Sequence, residues 1–208
     1  MHPHPPTATP PALRTISHAE LMQLPVLRYA GPVHVVSNQS ELPAAVLAIS
    51  RERVVGFDIE SRPTFRKGQV HLPSLVQIAG SRAVYLFQLR HLDCASLFAD
   101  VLGNPHVIKT GVAPGRDIID LQRLTPFTPA NVIDLATVAT SHGFGKTGMR
   151  NLAGILLGGR ITKGAQTSNW ARPHLSPAQI QYAATDAWAC RELYLRFEKL
   201  PAPERSQH

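Results

Sequence analysis

The chain has 208 residues, 44% of them hydrophobic, which suits one compact domain with a sizeable core. Its formal net charge of +7 points toward a polyanionic partner. Two isolated cysteines, Cys94 and Cys190, exclude a disulfide framework or a zinc site, and no run approaches the ~18 apolar residues of a membrane span, so a soluble intracellular protein is expected. Residues 1–15 are rich in proline and histidine without the apolar core of a signal peptide, and are expected to be a disordered tail. Ser17 and Glu20 have capping-box spacing for a short first helix. A strand is predicted at 33–36, then a helix capped by Ser40 and running to about residue 50. Three apolar runs at 54–59, 75–79 and 83–87 are close enough for successive antiparallel strands. A helix at 95–102 and a strand at 107–112 follow, and from there the pattern is mostly helical: 118–124, 135–141, 149–157 and 177–200, with a flexible tail at 201–208. Ser176 and Pro177 are the N-cap and first position of the last helix. There is no internal repeat, and the order reads as a single α/β domain over 16–200.

The most informative stretch is Val54-Val55-Gly56-Phe57-Asp58-Ile59-Glu60. Strand side chains repeat every second residue, so Asp58 and Glu60 project from one face. Two carboxylates there repel, and a half-buried pair needs a neutralising partner, most commonly a hard divalent cation. Two solvated acids at a strand end is the plainer alternative. On the last helix Tyr182 and Asp186 stand one turn apart on a single face, among Ile180, Ala183, Ala184, Ala187 and Leu193, which mark a packed helix. Asp117 follows Pro114-Gly115 near a helix start, where an acid ordinarily stabilises the helix dipole.

Taken together, Phe57-Asp58-Ile59-Glu60, Gly111-Val112 with Asp117 beyond it, and Tyr182-Ala183-Ala184-Thr185-Asp186 resemble the three exonuclease motifs of the DEDD superfamily, in the subgroup marked by a tyrosine in the last motif. Ser74-Leu75-Val76-Gln77-Ile78-Ala79, Asn151-Leu152-Ala153, Leu156-Leu157-Gly158 and Ser168-Asn169-Trp170 extend the resemblance over roughly residues 33–197. The chain is most similar to the exonuclease domain of the Werner syndrome helicase family and more distantly to ribonuclease D. The resemblance implies a ribonuclease-H-like fold, a mixed central sheet flanked by helices, and a metal-dependent 3'-5' exonuclease using two divalent ions, Mg2+ or Mn2+, ~3.5–4 Å apart. It implies that Asp58 bridges both ions, that Glu60 and Asp186 complete the one that activates water, and that Asp117 holds the second through bound water. Tyr182 would orient the attacking water; with an ordinary pKa of ~10 a tyrosine is a poor base at neutral pH, so the metal must do most of the activation. Ala113-Pro114-Gly115-Arg116 departs from the family's usual small and acidic residues before the second acid.

Bases surround these acids in the sequence. Arg62, Arg66 and Lys67 follow the first motif, and Lys146, Arg150, Arg160, Lys163 and Arg172 populate the segments leading to the last. Phosphate contacts are expected from Arg62, Arg66, Lys67, Lys146, Arg150, Lys163 and Arg172. Trp170 is a candidate for stacking on a base, or else packs against the last helix. The expected partner is nucleic acid, a single strand or the 3' end of a duplex, with DNA slightly favoured over RNA and no membrane; oligomeric state is left open. Gly145-Lys146-Thr147 is not a phosphate-binding loop, because that motif requires glycine where Thr140 stands. His142 is a loop residue, and Asp120 and Asp134 match the family's second acid less well than Asp117. No helicase or further RNA-binding segment is recognisable in these residues, so targeting by a separate protein is expected. Two alternatives stand beside the exonuclease reading: a nucleic-acid-binding protein with this fold but without useful catalysis, and a ribonuclease D-like enzyme of RNA 3'-end processing. The full set of four acids and a tyrosine favours catalysis.

Overall fold

The computed structural model describes residues 14–64 and 71–202. The tails therefore lie almost wholly outside the described residues, as do Arg66 and Lys67. Helix α1 (His18–Gln23) begins as its capping box predicts: Ser17 Oγ accepts from the Glu20 N–H at 3.2 Å, and the Glu20 carboxylate accepts from the Ser17 N–H at 2.8 Å. Strand β1 (Val33–Val36) leads through a tight turn at Gln39–Glu41 into α2 (Leu42–Ser50). The Ser40 cap is not realised. Instead the Glu41 carboxylate accepts from the N–H groups of Ser37 and Asn38 at 3.2 and 3.3 Å, closing the turn ahead of the helix.

Strands β2 (Val54–Ser61), β3 (Pro73–Ala79) and β4 (Val84–Gln88) form the expected antiparallel run. Helix α3 (Ala95–Leu97) continues as a widened turn to Leu102, followed by β5 (Ile108–Gly111) and α4 (Gly115–Gln122). Helix α4 starts earlier than predicted because Pro114, pre-set for helical backbone, serves as its N-cap. Strand β6 (Val132–Asp134) was not predicted: with two apolar residues it is too short to show a period of two. Helices α5 (Leu135–Ser141), α6 (Met149–Leu152, prolonged as a widened turn to Leu157) and α7 (Pro177–Phe197) complete the chain. Ser176 caps α7 as expected, its Oγ accepting from the Gln179 N–H at 3.3 Å. Among the described residues no helix is long and apolar enough to cross a membrane.

The six strands form one mixed sheet in the order β1-β4-β3-β2-β5-β6, with β1 parallel to β4 and with β5 and β6 continuing parallel to β2. Alternation along the strands divides the core in two. Val55 and Phe57 of β2 turn to the face covered by α2, α3 and α4, where they pack with Ile49, Phe98, Leu102 and Leu121. Fully burying each such side chain contributes about 1.5–3 kcal/mol. Leu75, Ala79, Val84 and Leu86 turn to the other face, covered by the alanines of α7 and by Trp170. Those alanines matter because they let α7 lie directly on β2. A methyl group placed at Gly56 would sit 1.9 Å from the Ala187 carbonyl oxygen and 2.7 Å from the Arg191 nitrogen, so strand and helix meet backbone to backbone. The contact is laced by Arg191 Nε, which donates to the Val54 carbonyl at 3.2 Å, and by Thr110 Oγ1, at 3.1 Å from the Cys190 carbonyl. Cys94 and Cys190 are both buried free thiols.

Candidate active site

The Gly56 contact carries the acids of β2 to those of α7. Asp58 and Glu60 share the face of Gly56, further along the strand, and Asp186 comes down from α7 to meet them. One carboxylate oxygen from each of Asp58, Glu60 and Asp186 lies within 4.8 Å of the other two. Asp58 and Glu60 are half-buried; Asp186 is only 7% exposed, and its Oδ1 has no hydrogen-bond partner. Burial pushes the Asp58 carboxyl well above the usual carboxylate range, and the charges of Asp186 and Asp117 push it further. Glu60 is raised to about 9, by burial first and then by Asp58, Asp186 and Asp117. Asp186 is raised to about 7 by burial, against a hydrogen bond from the Tyr182 hydroxyl that acts to lower it. Three acids so placed cannot all ionise at neutral pH without a compensating cation. Three converging hard oxygens, with a buried unpartnered carboxylate oxygen on one of the three residues, make a donor set suited to a divalent ion such as Mg2+ or Mn2+.

Asp117 stands outside this trio, half-buried in the first turn of α4, yet near enough for its charge to be felt at Asp58 and Glu60. Its own carboxyl is raised to about 6, by burial and then by Asp120. The turn before it is unusual: Ala113 is held at φ +54°, a left-handed backbone that non-glycine residues rarely adopt. Asp134 holds that turn, accepting from the Ala113 N–H at 2.9 Å while capping α5 through the Ala136 N–H at 2.8 Å. Asp120 is engaged by Arg116 and Arg123, both at 2.9 Å. Asp134 and Asp120 are thus committed to structure, in line with their lower standing in the sequence. Tyr182 is half-buried beside Asp186, and burial and the neighbouring acids raise its phenol, which therefore stays protonated at neutral pH.

The trio lies in a cleft of about 630 Å3 that Tyr182 also lines. Lys146, Arg150 and Lys163 stand on its walls, as the charge pattern suggested. Arg150 also braces the wall, its Nε donating to the Ile161 carbonyl at 3.0 Å. Among the described residues, the other expected contacts are not part of the cleft lining. Arg62 is exposed at the end of β2, and Arg172 is exposed near β4, where its carbonyl accepts from Gln88 Nε2 at 3.1 Å. Arg160 is spent on structure, donating to the Leu24 carbonyl at 3.1 Å. Trp170 is 1% exposed, its ring 6.0 Å from that of Tyr182, so it supports α7 and cannot stack on a base. The cleft also contains His18, Asn151 and Gln166, which the sequence reading missed. Asn151 lay within a quoted family stretch, whereas nothing local marks His18, which α1 delivers only through tertiary packing.

A mixed sheet whose central strand presents paired carboxylates to a third acid on the covering helix, in a cleft walled by bases, defines a ribonuclease-H-like acid-cluster hydrolase. Residues 33–200 match the 3'-5' exonuclease family, and the chain belongs to that family. It is 30% identical over 192 residues to the exonuclease mut-7 homolog of Aedes aegypti, covering 80% of this chain and 26% of that protein. It is 33% identical over 173 residues to ribonuclease D of Granulibacter bethesdensis, covering 80% and 42%. The chain therefore spans about a quarter to two-fifths of the length of these relatives. Among solved structures, the Nibbler EXO domain of Aedes aegypti superposes with a TM-score of 0.75 at 25% identity, covering 84% of this chain and 92% of that one. Trypanosoma brucei RNase D in complex with RNA U12 shares the fold, with a TM-score of 0.72 at 22% identity over 84% of this chain and 65% of that one. The DEDD resemblance and the fold class it implied are both borne out.

Proposed function

We propose that this domain is a metal-dependent 3'-5' exonuclease that hydrolyses phosphodiester bonds from the 3' end of a nucleic-acid strand. The observation that carries the reading is the convergence of Asp58, Glu60 and Asp186 within 4.8 Å beside Tyr182 in a base-walled cleft. Asp58, Glu60 and Asp186 would hold one divalent ion, and Asp58 with Asp117 a second. The ions supply charge neutralisation for the acids, acidification of water and stabilisation of charge on the phosphorus oxygens and the departing 3'-oxygen. The protein's own groups do the rest. Because Tyr182 keeps its proton, its hydroxyl orients the attacking water rather than deprotonating it. Lys146, Arg150 and Lys163 hold the phosphate backbone so that the terminal linkage rests over the acids. Burial of Asp186 on the inner face of α7 excludes bulk water from one side of the trio and strengthens each electrostatic contact there.

The relatives' name, ribonuclease D, and the RNA held by a structural neighbour support an RNA strand as the first substrate to test, although the sequence reading leaned slightly to DNA. The deciding experiment offers 3'-labelled single-stranded RNA, single-stranded DNA and recessed duplex of matched sequence with Mg2+ or Mn2+. Mononucleotide release from the 3' end, lost with chelator and restored by metal, is expected. Hydrolysis that persists in chelator, or none with any substrate and metal, overturns the proposal.

A further inference from the structure

Among the described residues, three buried side-chain atoms have no hydrogen-bond partner: Oδ1 of Asp186 and both Nε2 and Oε1 of Gln77. Asp186 belongs to the site above. Gln77 is completely buried, does not line the cleft and is engaged by nothing, although a buried amide bonded at neither end costs free energy that an apolar side chain would not. Its placement is informative. Gln77 is the direct partner of Asp58 across the β2–β3 ladder, so the two side chains stand on the same face of the sheet. Its neighbours on that face of β3, Leu75 and Ala79, pack against Ala183, Ala184 and Ala187, which puts Gln77 beneath the helix that carries Asp186. The Cβ atoms of such opposed pairs are ~4.5–5.5 Å apart, within the reach of a glutamine that changes rotamer toward a carboxylate. A carboxylate that holds a cation through one oxygen leaves its other oxygen in need of a donor, and such outer partners fix the ligand's orientation. Gln77 Nε2 is the uncommitted buried side-chain donor among the described residues.

We propose that Gln77 is a positioning residue for the metal-holding carboxylates: with a divalent ion in the site, its Nε2 donates to Asp58 and fixes the orientation of that carboxylate. The inference rests on the metal-dependent reading above and extends it to a residue outside both the acid motifs and the cleft. The test is Gln77→Met, which keeps length and approximate volume without the polar atoms, made in the full chain. Three quantities are read: Mn2+ affinity by titration calorimetry, the thermal midpoint in chelator, and kcat and KM on the oligonucleotide. Mn2+ affinity is expected to fall about tenfold, as loss of an outer-shell partner generally causes. kcat at limiting Mn2+ should fall and recover with excess Mn2+, KM should hold, and the thermal midpoint in chelator should equal or exceed that of the wild type. Gln77→Asn, which withdraws the amide by one methylene, should weaken Mn2+ in the same direction and carries the test if the methionine variant does not fold. A wild type that takes up no Mn2+ overturns the proposed function itself. A wild type that binds Mn2+ while the variants bind it equally well overturns only the role of Gln77, as does a lower thermal midpoint with Mn2+ affinity unchanged, the signature of packing alone.

Discussion

Asp186→Asn should abolish turnover and yet make the metal-free protein more stable. Asp186 is 7% exposed with an unpartnered Oδ1, and its carboxyl is raised from 3.8 to about 7. That shift of roughly three units corresponds to about 4 kcal/mol at ~1.36 kcal/mol per unit, the upper bound on what its ionisation costs the folded chain. Asparagine removes the charge and adds an amide donor facing Asp58 and Glu60, so a gain of about 1–4 kcal/mol is expected, or roughly 2–4 °C of thermal midpoint per kcal/mol for a chain of this size. The pH dependence has a definite sign. Because the folded-state value is raised, the folded chain binds more protons than the unfolded chain between pH about 4 and 7, so wild-type stability falls as pH rises through that window. The advantage of the variant should be near zero below pH about 4, grow to pH about 7 and then level off. Thermal unfolding in chelator across that range measures it. Saturating Mn2+ should then close the gap from the other side, since a ligand at 100 times its Kd stabilises the wild type by about 2.7 kcal/mol and the variant has lost a ligand. A variant no more stable than wild type above neutral pH, or a gap that ignores pH, would refute the picture of a strained acid awaiting a cation.

Gly56→Ala should destabilise by about 1–3 kcal/mol or more in urea unfolding, because the new methyl meets backbone atoms of α7 that cannot yield, and kcat should fall as Asp58 and Asp186 are forced apart. A wild-type urea midpoint and rate in that variant would show that strand and helix do not touch there. Tyr182→Phe is expected to lower kcat by roughly tenfold or more with KM little changed; an unchanged single-turnover rate would remove its water-orienting role. Substrate binding should weaken with salt. Replacing Lys146 and Lys163 together with alanine should flatten the log–log slope by about 1.4, at ~0.7 per phosphate contact on a single strand, whereas Arg172→Ala should leave it unchanged. Equal slopes for wild type and the double variant would show that the cleft lysines do not meet phosphate.

The features legible in the sequence were those encoded over a turn or a strand. Parity along β2 put Asp58 and Glu60 on one face, i to i+4 spacing put Tyr182 below Asp186, and the caps at Ser17 and Ser176 announced their helices, because each depends only on local backbone geometry. Where local chemistry offers equivalents, residue type does not decide: Ser40 is as good a cap by type as its neighbours, but Glu41 closes the turn. Tertiary structure alone decided the rest. It buried Trp170 under α7, committed Asp134 to the Ala113 turn, left Arg62 and Arg172 out of the cleft lining, and set Gln77 unpartnered across from Asp58. Residue types named the chemistry, since clustered carboxylates are costly unless a cation compensates them. Whether those carboxylates meet depends on α7 resting on the bare backbone of Gly56, a contact between distant segments that no local periodicity encodes.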